Sequence, residues 1–301
     1  MSWLSAFKRT GEWGPKGFDV TSRWLESTLE VARWENMRRA GRRWGWWGSA
    51  LGAALGLLVF APASWLAASL SSSTSGRLVL AEAEGTVWTG SAVAVLTGGP
   101  GSRDARALPG RLGWTLRPQG LGLKLQLTQD CCLPAPVGLI VKPGWAAVSV
   151  QLLTASGSAQ GVVGQWPAAW LGGLGTPFNT LQLGGVMTLR TQGLNLQWVK
   201  GRFAMDGDAD LSLSRLASRV TTLNELGSYR LSLSGSGGGA VSLQMQTEEG
   251  ALRLSGSGAI GPTGVRFLGE ATAAEADRGA LNNLLNIIGR RTGDRSVISI
   301  G

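Results

Sequence analysis

The chain contains no histidine. That absence removes Ser-His-Asp and Cys-His nucleophile systems, imidazole-ligated zinc and any imidazole general base. Charge is scarce as well: Asp, Glu, Lys and Arg together make up 16% of the 301 residues. There are two cysteines and a single tyrosine. No Gly-Lys-Ser/Thr phosphate loop occurs, no GxGxxG stands between a strand and a helix, and no serine sits in a GxSxG elbow. An ordinary hydrolase or nucleotide enzyme is therefore disfavoured from the start. With 44% hydrophobic residues the chain is too apolar to be disordered, and its 46 glycines follow no Gly-X-Y period.

The charge that is present leans basic, with 28 Lys/Arg against 19 Asp/Glu and a net charge of +9. Such a balance suits nucleic acid or an anionic membrane. Distribution decides between them. Residues 71–301 spread nineteen basic and fourteen acidic side chains thinly, with no basic stripe interleaved with aromatics, so nucleic acid is not implied. The dense cluster is Arg38, Arg39, Arg42 and Arg43. It stands directly before a segment that carries no charge from Trp44 to Gly76.

That segment predicts a membrane span over residues 44–70. About 20 mostly apolar residues cross ~30 Å of hydrocarbon. Trp44, Trp46 and Trp47 mark one end and Trp65 lies toward the other, as interfacial tryptophans do. Pro62 falls in the last third, where a kink is tolerated. The arginines set the orientation: residues 1–43 cytoplasmic, residues 71–301 on the far side of the membrane. A cleaved signal peptide is the rival reading, because Ala61-Pro62-Ala63 and Leu66-Ala67-Ala68 are small enough for cleavage. The apolar stretch exceeds the ~7–15 residues of a signal core, which favours an uncleaved anchor. Upstream, Thr21 to Ala40 has helical character that suits an interfacial helix. Residues 1–36 are equally well read as an extension before a start at Met37.

After the span the texture changes. Leu121, Leu123, Leu125 and Leu127 alternate with polar or small residues, the period of a half-buried strand. The rhythm recurs at 147–153, 181–189, 194–199, 209–214, 229–234, 240–246, 252–256 and 265–272, with glycine-rich turns between, notably at 235–239. This predicts a mainly β domain, an antiparallel sheet wet on one face and dry on the other. Residues 167–172 read as a short helical turn. Residues 275–291 carry Leu281, Leu284, Leu285 and Ile288 as an amphipathic stripe, with Arg290 and Arg291 placed to suit the helix C-terminus. Residues 296–300 read as a last strand.

Two clusters merit weighing for chemistry. Cys131 and Cys132 are adjacent in a loop flanked by Asp130 and Pro134; a vicinal disulfide, two free thiols, an intermolecular bridge and an opportunistic metal contact are all compatible with that placement. A redox role lacks the Cys-X-X-Cys spacing. Asp206, Asp208 and Asp210 imitate the start of a calcium loop, but Leu211 stands where glycine is required and Ala217 where a bidentate glutamate is required. Strand alternation explains them better, with the aspartates facing out and Ala209, Leu211 and Leu213 facing in. No pair of carboxylates is singled out for acid–base work.

Several blocks in order carry a family resemblance: Gly85-Thr-Val-Trp-Thr-Gly90, Leu112-Gly-Trp114, Trp166-Pro-Ala-Ala-Trp-Leu171, Pro177-Phe-Asn-Thr180, Gly227-Ser-Tyr-Arg230, Gly250-Ala-Leu-Arg-Leu-Ser-Gly256 and Leu284-Leu-Asn-Ile-Ile-Gly-Arg-Arg291. Together, after one N-terminal span, they resemble the type II secretion system protein N family over about residues 44–301. The resemblance implies a non-catalytic, single-pass inner-membrane protein with a periplasmic β domain and no cofactor. It implies an accessory role linking the inner-membrane platform and protein C to the outer-membrane secretin. It assigns no binding residue. The alternative is a membrane-anchored periplasmic lipid-handling protein whose apolar β groove cradles acyl chains, as in AsmA-like proteins.

Overall fold

A computed structural model describes residues 44–153, 161–199, 202–261 and 264–301. The chain divides into two compact units, Met1–Val59 and Phe60–Gly301. In the first unit a helix, α1, covers residues 44–59, with Trp44, Trp46, Trp47 and Leu51 exposed along it. Among the described residues no helix is long and apolar enough to cross a membrane. Residues 1–36 and the basic cluster Arg38, Arg39, Arg42 and Arg43 lie outside the described residues.

The helix expected to reach residue 70 with at most a kink at Pro62 instead stops at 59. Proline is the cause. It has no N–H to donate, its ring clashes with the carbonyl four residues back, and it pushes its predecessor toward extended backbone. Pro62 itself is extended and bridges Thr86, while the Val87 N–H donates to the Ala61 carbonyl at 2.9 Å. A second helix, α2 (Ala63–Ser73), then belongs to the second unit. Ala63, Leu66, Ala67 and Leu70 pack against Leu80, Ala92 and Ala94 of the sheet. At its end the Thr74 hydroxyl donates to the Leu70 carbonyl and accepts the Leu78 N–H, turning the chain into the first strand.

The sheet is antiparallel throughout. Its strands are β1 (Leu78–Gly85), β2 (Thr89–Thr97), β3 (Ala105–Ala107), β4 (Leu112–Gln119), β5 (Gly122–Thr128), β6 (Val137–Gly144), β7 (Ala147–Leu153) and β8 (Val162–Pro167). They continue as β9 (Gly184–Val199), β10 (Arg202–Ala217), β11 (Gly227–Ser236), β12 (Val241–Glu249), β13 (Leu252–Gly261), β14 (Gly264–Ala273), β15 (Arg290–Thr292) and β16 (Arg295–Ile300). Successive strands are mostly neighbours, in the order β1-β2-β4-β5-β6-β7-β9-β10-β11-β12-β13-β14-β16-β15. β3 pairs alongside β2, and β8 alongside β9. The long strand β9 therefore holds β7 at residues 195–199 and β8 at residues 186–190 on one side, and β10 on the other.

Between β8 and β9 come a 3-10 turn (Ala168–Leu174), a cis Thr176–Pro177 bond and a short helix, α3 (Phe178–Leu181). Leu181, expected to begin a strand, closes α3, and Gln182 beside it is left-handed. Near the C-terminus a 3-10 turn (Glu275–Asp277) leads into α4 (Arg278–Ile288). The helix ends sooner than the sequence suggests. Arg290 and Arg291 do not cap it; they form β15 and pair with Val297 and Ser296 of β16.

The dry face is filled unevenly. At one end α4 inserts Leu281, Leu284 and Leu285 against Leu226, Tyr229, Leu252 and Ala271, all at 1% exposure or less. A second cluster gathers under α2 around Trp114 and Cys132. A third, smaller one joins Met205, Ala209 and Val241 farther along β10 and β12.

Candidate functional site

The family-like blocks turn out to build the fold. Gly85 and Gly90 flank a tight turn that receives Ala61 and Pro62, and the Trp114 indole N–H donates to the Thr86 and Val87 carbonyls at 3.2 Å. Gly90 is obligatory on space alone. A Cβ there would stand 2.5 Å from the Glu84 carbonyl oxygen and 2.6 Å from Trp114 Cζ2. The Asn179 amide donates to Asp104 at 2.9 Å, holding α3 against the β2–β3 connection. Ala168 is fully buried. Tyr229 is fully buried too, and its hydroxyl donates to the Leu252 carbonyl at 2.9 Å, linking two of the blocks. Burial pushes its phenol well above the ordinary tyrosine range, because the charged form has no water to solvate it.

The residues weighed for chemistry are dispersed. Cys131 and Cys132 carry an S–S bond across their shared peptide, with Cα atoms 3.7 Å apart. Cys131 is exposed, whereas Cys132 packs into the cluster around Trp114. Asp206 and Asp208 are exposed on β10, and Asp210 accepts a hydrogen bond from the Ser232 hydroxyl. Among the described residues no three His, Cys, Asp or Glu side chains come together as a metal site. Arg111 spans the bulge in β1, donating to the Glu82 carbonyl at 2.7 Å and pairing with Glu84 at 3.3 Å. That is a structural clamp over a strand irregularity.

Two features were invisible in the sequence. The first is a cavity of about 1010 Å³ on the dry face beneath α2. It is walled by Leu66 and Leu70 of α2, Leu125 and Leu127 of β5, and residues of β8 through β11, so strands distant in order curl round to face one space. The polar side chains of its lining, tryptophans apart, are Ser69, Ser73 and Gln129. Water would fill that volume with ~30 molecules at ~30 Å³ each, and each wants two to four polar partners. The lining cannot supply them.

The second is a row of hairpin tips. The β4–β5 turn presents Leu121, the β6–β7 turn presents Trp145, and the β9–β10 hairpin presents Trp198 and Val199. The registers Leu123↔Val141 and Ala147↔Val199 set these tips side by side at one end of the sheet. Leu121 is 98% exposed and Trp145 103%. Arg117, Lys124, Lys142 and Arg202 flank them, all exposed. Asp130 is the single acidic residue between positions 105 and 205. The turns permit it: Gly120 and Ala146 take left-handed backbone in two-residue loops. Leu121 keeps the alternation of Leu123, Leu125 and Leu127, so sequence reading counted it as part of a strand.

The β domain thus combines an antiparallel sheet, an apolar chamber and a row of apolar hairpin tips. The model of the family described as type II secretion system (T2SS), protein N, matches residues 76–298, about three quarters of the chain. The chain belongs to that family, and it is thereby a component of the type II secretion apparatus. No curated protein and no solved structure shows a significant match to it.

Proposed function

We propose that the protein is a non-catalytic accessory subunit of the type II secretion system, anchored in the inner membrane by its N-terminal segment. Its β domain works in the periplasm, helping the inner-membrane platform and protein C engage the outer-membrane secretin. The family match carries the secretion role. The anchoring rests on the uncharged stretch from Trp44 to Gly76 behind four arginines. On this reading the anchor is the uncharged stretch that starts at Trp44 and ends before Pro62, where the chain turns into α2. Tethering confines the domain to a thin layer and raises its effective concentration toward other anchored subunits.

The contact surface we assign is the row of hairpin tips. Exposed apolar side chains rimmed by cations fit an apolar recess bordered by carboxylates on a neighbouring subunit. The sheet's terminal edges suit that role less. β1 carries a bulge with Glu82 and Glu84, and β15 is three residues long with Arg290 and Arg291, the devices by which proteins discourage strand addition. The test is copurification from cross-linked cells. Trp145→Ser combined with Leu121→Ser should leave the protein at wild-type abundance but remove protein C or the secretin from the eluate. Undiminished recovery of both partners eliminates the tips as the contact surface. An alkaline phosphatase fusion at Gly301 tests the topology: activity is expected, and an inactive fusion refutes the periplasmic placement.

A further inference from the structure

The dry face of the sheet follows one alternating pattern from end to end, yet it is packed unevenly. Where α4 covers it, Leu252, Ala271 and Tyr229 are sealed. Under α2 the equivalent inward leucines, Leu125, Leu127, Leu189, Leu211 and Leu233, remain half-exposed around the 1010 Å³ cavity. The space reaches the upper end of the ~300–1,000 Å³ range of small-molecule sites. Apolar side chains fix what it can hold, since its walls offer hydrocarbon almost throughout. The hydroxyl-bearing side chains of the lining, Ser69 and Ser73, lie together on α2.

We infer that this chamber binds the acyl chains of a glycerophospholipid. A diacyl lipid combines long hydrocarbon for the apolar walls with a polar head for the hydroxyl-bearing side. Its polar head would lie toward Ser69 and Ser73 of α2, the hydroxyl-bearing side of the lining. α2 begins four residues after Val59, so on the anchoring reading above the chamber's lid is continuous with the membrane segment. The lid thus hangs beside a supply of such lipids. The chamber itself is independent of which secretion subunits the hairpin tips contact.

Photocrosslinking in the native host with the full chain tests this. Benzoylphenylalanine is placed at Leu127 or Leu233, which line the cavity, and at Gln126 or Ser234, their exposed neighbours on the same strands. Cells are fed radiolabelled phosphate before irradiation. Label should appear on the protein at Leu127 and Leu233 several-fold above Gln126 and Ser234, and mass spectrometry should identify the adduct as a phospholipid. Ala94→Phe, which projects a ring into the cavity, should lower that label several-fold while protease resistance stays at the wild-type level. Equal labelling at all four positions, or a protease-resistant protein unlabelled at the cavity positions, overturns the inference. Adducts that carry only peptide overturn it as well. Loss of secretin or protein C binding has no bearing on these readouts, so failure of the two proposals can be told apart.

Discussion

Tyr229 offers a sharp test of the packing, because it is the chain's single tyrosine and its phenol reports on one site alone. It is fully buried beside α4 and donates to the Leu252 carbonyl. Tyr229→Phe keeps the ring but orphans that buried carbonyl, which should cost ~1–3 kcal/mol at neutral pH. The pH dependence follows from the raised folded-state pKa. Below pH ~10 the phenol is neutral in both states and stability does not depend on it. Above pH ~10 the unfolded chain ionises while the folded one holds its proton, so stability falls by ~1.4 kcal/mol per pH unit through this group. The phenylalanine variant lacks that slope. Urea titrations followed by tryptophan fluorescence should show the wild-type advantage at pH 8 shrinking by ~1.4 kcal/mol at pH 11, since other groups cancel between the two proteins. Absorbance at the tyrosinate band should stay flat in the folded protein through pH ~10 and jump only with unfolding. A normal titration in the folded state, or a variant as stable as wild type at pH 8, would refute the burial and the hydrogen bond together.

Three further outcomes are expected. Leu284→Ala, at 1% exposure in the α4 cluster, should destabilise the domain by ~2–5 kcal/mol in the same urea assay, and a loss below ~1 kcal/mol would contradict the seating of α4. Gly90→Val drives a side chain into the Glu84 carbonyl and the Trp114 ring, neither free to move. It should cost ~1–3 kcal/mol or more and lower the melting temperature, whereas Gly101→Ala, with open space around it, should cost less than the Gly90 change. For the cysteine pair, intact mass after alkylation should be unchanged before reduction and gain two adducts after it. Adducts before reduction would mean free thiols.

The alternation of leucines was enough to read an antiparallel, half-dry sheet, because side-chain period reports facing directly. The expected strand at 147–153 coincides with β7, and that at 229–234 lies within β11. Continuity was harder. Residues 181–189 and 194–199 read as two strands, yet β9 runs through. Gly193 and Gly207 both take positive φ at a bulge, and a Cβ on Gly207 would stand 2.6 Å from the Gly193 carbonyl oxygen, whereas one on Gly193 would meet open space. Hydropathy also misjudged Pro62. The apolar letters of 63–70 fit lipid and protein core equally, and what decides is the pairing of Ala61 and Pro62 with Val87 and Thr86, a long-range contact no local window contains. The cavity was illegible for the same kind of reason. Alternation says which leucines face inward, but not whether another element arrives to cover them. The family blocks were legible as markers, and the structure shows why they mark: Gly90, Ala168, Tyr229 and Leu252 each sit where space or a hydrogen bond leaves little choice.

The central claim, a role in export of folded proteins, is tested most directly by deleting the gene in its native host and comparing proteins in the culture medium with those in the periplasm. The account predicts that secreted enzymes accumulate in the periplasm, that a plasmid copy restores their export, and that a copy carrying Trp145→Ser with Leu121→Ser does not. Unchanged export in the deletion strain would contradict it.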